Sequence, residues 1–201
     1  MGHPAEKLRP ATYADLEAVP PDQVAEIIED TLYVFPRPSG PHTFASSRLG
    51  GRLDGPFSLG EGGPGGWWIL DEPELHLGKE VIIPDLAGWR VERMPELPED
   101  NKFRVAPDWI CEVLSPSTAA YDRIKKMPLF AREGVGHLWL LDPVARTLEV
   151  YRLGADGHWK VIGLYDETAK ARAEPFDAIE LDLSLLWKKP ASPAAPATPS
   201  P

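Results

Sequence analysis

The stretch PDWICEVLSPST, residues 107–118, decides the fold. From Trp109 to Leu114 it is apolar at every position except Glu112. A run of this kind, bounded by Pro107 and by Ser115-Pro116, reads as a strand buried on both faces. TAAYDRIKKMPLF (118–130) follows and reads as a helix capped by Ser117 or Thr118. Pro128 removes a hydrogen bond to Ile124 and is expected to kink or divide that helix. VGHLWLLDP (135–143) is a second apolar strand, with Asp142 closing it in an Asp-Pro turn. Strand, helix and strand in this order supply a parallel pair.

Working outward, RTLEVYRLG and HWKVIGLY alternate as half-exposed antiparallel strands joined by a Gly-Ala-Asp-Gly loop. Upstream, VAEIIEDTLYVFP (24–36) reads as two strands around a tight Glu29-Asp30 turn. ATYADLEAV is a short helix, with Thr12 three residues before Asp15. PHTFASSRLGGRLDG is a helix starting at Pro41 and weakened by Gly50 and Gly51. LGEGGPGG reads as a flexible loop, and WWILDEPELHL and KEVIIPDLAGWRV as strands. The expected class is therefore mixed α/β: a mixed central sheet flanked by a few helices, with antiparallel C-terminal strands.

The 201 residues fit one domain, expected over 11–188, after a flexible N-terminus of residues 1–10. The tail over 189–201 is rich in Pro, Ala and Ser and is expected to be disordered. A net charge of −10 argues against a protein that coats nucleic acid without specificity, but leaves room for one local basic patch. Candidates for that patch are Arg37, Arg48, Arg52, Arg123, Lys125 and Lys126. No apolar stretch is long enough to cross a bilayer, MGHPAEKLRP lacks an apolar signal region, and Cys111 is the only cysteine. A cytoplasmic, reducing location is the expectation.

The chemistry lies in two acids and a lysine. Asp85 follows Pro84, which interrupts strand pairing just before the acid. Glu112 lies within the buried run, where an unpaired carboxylate is costly. Lys126 follows on the helix. Together they suggest a hard-metal site built for phosphate chemistry. Each has a plainer alternative. Asp85 could cap a turn, Glu112 could face solvent at a sheet edge, and Lys126 could pair with Asp122 at i, i+4 on a solvated helix face. Glu26, in VAEII, is either a third site carboxylate or an edge-facing one. His42 could contact a phosphate or be structural, and Cys111 reads as a small buried hydrophobe. No GxSxG, P-loop or paired CxxC is present.

These pieces, in the order AEIIEDTLYV, PHTFASSRLGGRL, VIIPDLAGW, CEVLSPST, DRIKK and HLWLLDP, resemble the Uma-two family of restriction-endonuclease-like proteins, within the PD-(D/E)XK nuclease superfamily. The resemblance runs nearly to Trp187. It implies a restriction-endonuclease-like fold and a magnesium- or manganese-dependent endonuclease acting on nucleic acid, DNA first; separately, exposed tryptophans and short edge strands would permit a homodimer. It implies Asp85 and Glu112 as metal ligands, with the Val113 carbonyl as a further one, and Lys126 and Glu26 as catalytic partners. His42, with Arg123 and Lys125 of the basic patch, is expected to contact substrate. The superfamily's usual lysine, two residues after the second acid, is Leu114 here, and Lys126 stands in for it. The competing expectation is a catalytically silent nuclease fold acting as a binding or regulatory module.

Overall fold

The structure is a computed structural model that describes residues 9–187. The expected tail, and all but the last two residues of the expected flexible N-terminus, lie outside the described residues. The elements are α1 (Tyr13–Glu17), β1 (Gln23–Ile28), β2 (Thr31–Pro36), α2 (Gly40–Leu53), β3 (Trp67–Asp71), β4 (Glu74–Leu77), β5 (Glu80–Ile82), β6 (Leu86–Arg90), β7 (Lys102–Phe103) and β8 (Trp109–Val113). They continue with α3 (Ala119–Tyr121), α4 (Met127–Arg132), β9 (His137–Asp142), β10 (Thr147–Leu153), β11 (Trp159–Tyr165), β12 (Lys170–Ala171) and β13 (Leu181–Asp182).

The decisive run becomes β8, buried along its whole length. It lies inside a six-stranded mixed sheet of order β11-β10-β9-β8-β6-β3. β8 and β9 are parallel, with Trp109 opposite His137 and Val113 opposite Leu141, while β6 runs antiparallel on the other side. Alternation along β8 divides the core. Trp109, Cys111 and Val113 join one cluster with α2 and the C-terminal segment, and Ile110 and Leu114 join another. Glu112 has the same alternation phase as Ile110 and Leu114, so it enters the second layer.

That second layer is closed by a five-stranded sheet of order β2-β1-β5-β4-β7. Each of the two central apolar stretches, read as one strand in the sequence, is divided between the sheets. Glu72, at φ 46°, followed by Pro73, turns the chain from β3 into β4. Pro84, with no N–H to donate, ends β5 before β6 begins. The two crossings are tied where Glu72 N donates to Asp85 O at 3.1 Å. Asp85 therefore sits at the junction between the layers.

The β1–β2 hairpin turns at Glu29 and Asp30, both with positive φ, as a two-residue loop requires. α2 continues through Gly50 and Gly51 to Leu53 because Ala45, Ser46, Leu49 and Leu53 are buried along one side. Gly50 also permits a close approach to the sheet: a Cβ there would meet Leu86 Cδ2 at 3.2 Å.

The expected break at Pro128 takes a different form. Between α3 and α4 the helix widens into a π turn over Asp122–Lys126 and runs on. The wider turn accommodates a residue that cannot donate backward and whose ring crowds the preceding turn. Thr118 holds the cap position, but its side chain caps nothing; Ser115 Oγ accepts the Thr118 N–H at 3.2 Å instead.

Candidate functional site

Five chain segments place polar side chains at one junction. β1 carries Glu26, the start of α2 carries His42, and the β5–β6 crossing carries Asp85. β8 carries Glu112, and the π turn carries Asp122 and Lys126. All six line one cleft of ≈ 280 Å³. Phe35, Pro36, Ser115 and Thr118 also line it.

Lys126 is the hub. Its Nζ lies 2.9 Å from Glu26 Oε1 and donates to both Glu112 carboxylate oxygens, at 3.1 and 3.2 Å. Asp122 Oδ1 lies 4.0 Å away. Both partners and the lysine are almost fully buried: Glu26 2%, Glu112 2% and Lys126 5% exposed. Glu26 is further held by the Ile83 N–H at 2.9 Å and the Tyr121 hydroxyl at 2.8 Å. Asp85 Oδ2 accepts the Val113 N–H at 2.7 Å, which locks the acid against β8. Its other oxygen lies 3.3 Å from His42 Nε2. His42 Nδ1 is buried without a hydrogen-bond partner.

The electrostatics follow from four carboxylates sharing the cleft with one ammonium, three of them within 4.0 Å of it. Burial pushes Glu112 well above the ordinary carboxylate range; Lys126 opposes this, and the charges of Asp122, Asp85 and Glu26 add to it. Burial likewise raises Asp122 to about 6, against the pull of Lys126. Burial alone would lower Lys126, but Glu112, Glu26 and Asp122 outweigh it, so the ammonium stays charged. Burial works against His42⁺, and Asp85 with the Val113 carbonyl more than restores it. Asp71, at the end of β3, and Glu72, at the rim, are raised by burial, with the charge of Asp85 contributing to both.

Among the described residues no three His, Cys, Asp or Glu side chains stand close enough to form a ready-made metal cage. The donor chemistry nonetheless fits a hard dication. The expected ligands, Asp85, Glu112 and the Val113 carbonyl, offer only oxygen, and Asp85, Glu112 and Val113 all line the cleft. Negative charge is also in surplus over Lys126 and His42.

The structure thus brings together Glu26, His42, Asp85, Glu112, Val113 and Lys126. It does not bring Arg123 or Lys125 into the cleft. Arg123 pairs with Glu149 and Lys125 with Glu29, each at 2.7 Å, on the outside of the helix. Three cleft residues escaped the sequence. Asp122 is legible as an i, i+4 partner of Lys126, but that spacing reads as a surface pair, whereas Asp122 is 4% exposed. Tyr121 serves Glu26 across 95 residues of chain, a distance at which no spacing signal exists. Glu72 reaches the rim only because the chain changes sheets there.

Fold and cleft together define an α/β protein with a buried acid–lysine centre at a sheet junction. The chain belongs to the Uma2 family, described as "Putative restriction endonuclease", whose match covers residues 10–185. It is similar to a crystal structure from Anabaena variabilis described as "a putative nuclease belonging to DUF820". The TM-score is 0.70 at 23% identity, covering 88% of this chain and 97% of that one, a likeness of fold. Among curated proteins there is no significant match. Family membership supports a nuclease, a hydrolase acting on nucleic acid. No helix among the described residues is long and apolar enough to cross a membrane.

Proposed function

We propose that the protein is a divalent-metal-dependent endonuclease that hydrolyses phosphodiester bonds, with DNA as the substrate. The observation that carries this reading is the meeting of Asp85, Glu112 and Lys126, distant in sequence, in one cleft. Asp85, Glu112 and the Val113 carbonyl would hold Mg²⁺ or Mn²⁺, hard cations that prefer oxygen ligands. When bound, such an ion lowers the pKa of water and neutralises charge on the phosphate oxygens.

The chain's own residues do the rest. The Val113 N–H fixes Asp85 in its rotamer, so that the carboxylate is presented without further ordering. Lys126 stays protonated and can donate to the attacking water or to a phosphate oxygen, which favours the transition state electrostatically. Glu26, held by Tyr121 and Ile83, anchors Lys126 from the second sheet. His42, which lines the cleft at the start of α2, would contact a substrate phosphate there. The reading includes a cytoplasmic homodimer that presents two clefts to one duplex.

The test is purified protein with supercoiled plasmid and Mg²⁺ or Mn²⁺. Nicking that disappears in Asp85→Ala and in Lys126→Ala supports the reading. Wild type that never cleaves, under any metal condition, sinks it. A second reading, a silent nuclease fold that only binds, draws on the contact of Lys126 with both Glu112 oxygens, which already neutralises that acid. Metal-independent DNA binding without cleavage would select it.

A further inference from the structure

We propose that the outer flank of α2 is a docking track for a nucleic-acid backbone, leading from the cleft mouth at Arg37 through Arg48 to Arg52. The choice of ligand rests on the nuclease reading; the track itself rests on where unneutralised positive charge lies.

Many cations of the fold are already paired with carboxylates, Arg123 and Lys125 among them. Among the described residues, those with no ion pair are Arg37, Arg48, Arg52, Arg90, Lys102 and Arg172. Three of these lie elsewhere. Arg90 ends β6, at the opposite end of that strand from Asp85, and covers the Trp67 ring. Lys102 lies on the short strand β7 over Tyr13, and Arg172 donates to the Asp177 and Ala178 carbonyls. The other three share one short segment. In a chain of net charge −10, this is a concentration of positive charge without carboxylate partners, which suits a polyanion.

The geometry joins that segment to the cleft. Arg37, which has no ion pair but donates through Nη2 to the Pro21 carbonyl at 2.8 Å, lines the cleft, as do Ser39 and His42 at the start of α2. The α2 N-terminus, with the positive end of its dipole, opens there without a side-chain cap. Its buried face is fixed by His42, Ala45, Ser46, Leu49 and Leu53. Phe44, Arg48 and Arg52 follow at i, i+4 and i+8 along one flank, with both arginines exposed. Arg48 Cζ lies 5.1 Å from the Phe44 ring centroid, which orients the guanidinium and leaves its charge free. Arg52 makes no ion pair, although its charge is felt at Asp182. Between them Gly51 is open, with nothing within 4 Å of an added Cβ. From Ser39 to Arg52 the helix rises roughly 20 Å. That length spans about six phosphates of one strand.

The test measures affinity for a short fluorescein-labelled DNA duplex against salt, with Ca²⁺ in place of Mg²⁺, beside plasmid cleavage in Mg²⁺. The proteins are wild type, Arg48→Ala/Arg52→Ala, Arg48→Lys/Arg52→Lys, and a control, Arg146→Ala/Arg152→Ala. Loss of two phosphate contacts flattens the log–log salt slope by about 1.8. The track predicts that change in the alanine pair, retention in the lysine pair, and an unchanged control. An unchanged slope in the alanine pair overturns it, as does equal loss in the lysine pair. Equal competition by poly-glutamate at matched charge also overturns it, in favour of an acidic protein partner. If wild type never cleaves but the slope responds as stated, the nuclease reading fails and the track stands. If wild type cleaves and the slope does not respond, the reverse holds.

Discussion

Replacing Lys126 by Met removes the one ammonium from a set of buried carboxylates. Glu26 and Glu112 are each 2% exposed and Asp122 4%, so no solvent stands in for the lost charge. Breaking a buried ion pair by deleting one partner costs about 3–5 kcal/mol. For a domain of this size the loss is roughly 6–20 °C in melting temperature. The cost depends on pH. Asp122 is raised to about 6 from an ordinary 3.8, and Glu112 is raised in the same direction. A carboxyl whose folded pKa exceeds its unfolded one binds more protons when folded, so its contribution to stability falls as pH rises through that window. Without Lys126 both groups rise further, so the penalty is largest near pH 7.5 and shrinks toward pH 5. A divalent cation would replace part of the missing charge, worth about 2.7 kcal/mol at a hundredfold excess over Kd. Thermal unfolding of wild type and Lys126→Met, at both pH values and with or without Mg²⁺, measures all three effects. A variant within about 1 kcal/mol of wild type at pH 7.5 without metal would refute the reasoning, because that is the scale of an exposed pair.

Other outcomes follow from the same geometry. Tyr121→Phe removes the hydroxyl donor to Glu26 and should cost about 1.5–3 kcal/mol in urea unfolding, as for a hydrogen bond to a charged group. Phe176→Ala empties the centre of the first core, where Phe57, Trp67, Trp109 and Trp139 all meet that ring, and should cost about 3–5 kcal/mol. Mg²⁺ binding, followed by calorimetry, should weaken from pH 7.5 to 5, since raised Glu112 and Asp122 hold protons that compete with the ion. Affinity independent of pH over that range would remove Glu112 from the ligand set.

Much of this was legible in the chain. The continuous apolar run fixed β8, and the strand–helix–strand order gave its parallel pairing with β9. The family resemblance, not charge, favoured Lys126 over the adjacent Lys125; in the structure Lys126 is buried beside Glu112, while Lys125 is half-buried and pairs with Glu29. The division into two sheets was not legible, because a strand that crosses between layers stays apolar throughout. Only Glu72-Pro73 and Pro84 mark the crossings, and each reads equally well as a local irregularity. Asp122 looked like a surface partner because i, i+4 spacing carries no information about what lies opposite the helix. The π turn was hidden as well, since a proline announces lost hydrogen bonding but not how the backbone absorbs it.

The most direct measurement is anomalous scattering from crystals soaked in Mn²⁺. The account predicts one strong peak within coordination distance of Asp85, Glu112 and the Val113 carbonyl, with Lys126 drawn off Glu112. No peak there at saturating Mn²⁺, or a peak bound by other residues, would contradict it.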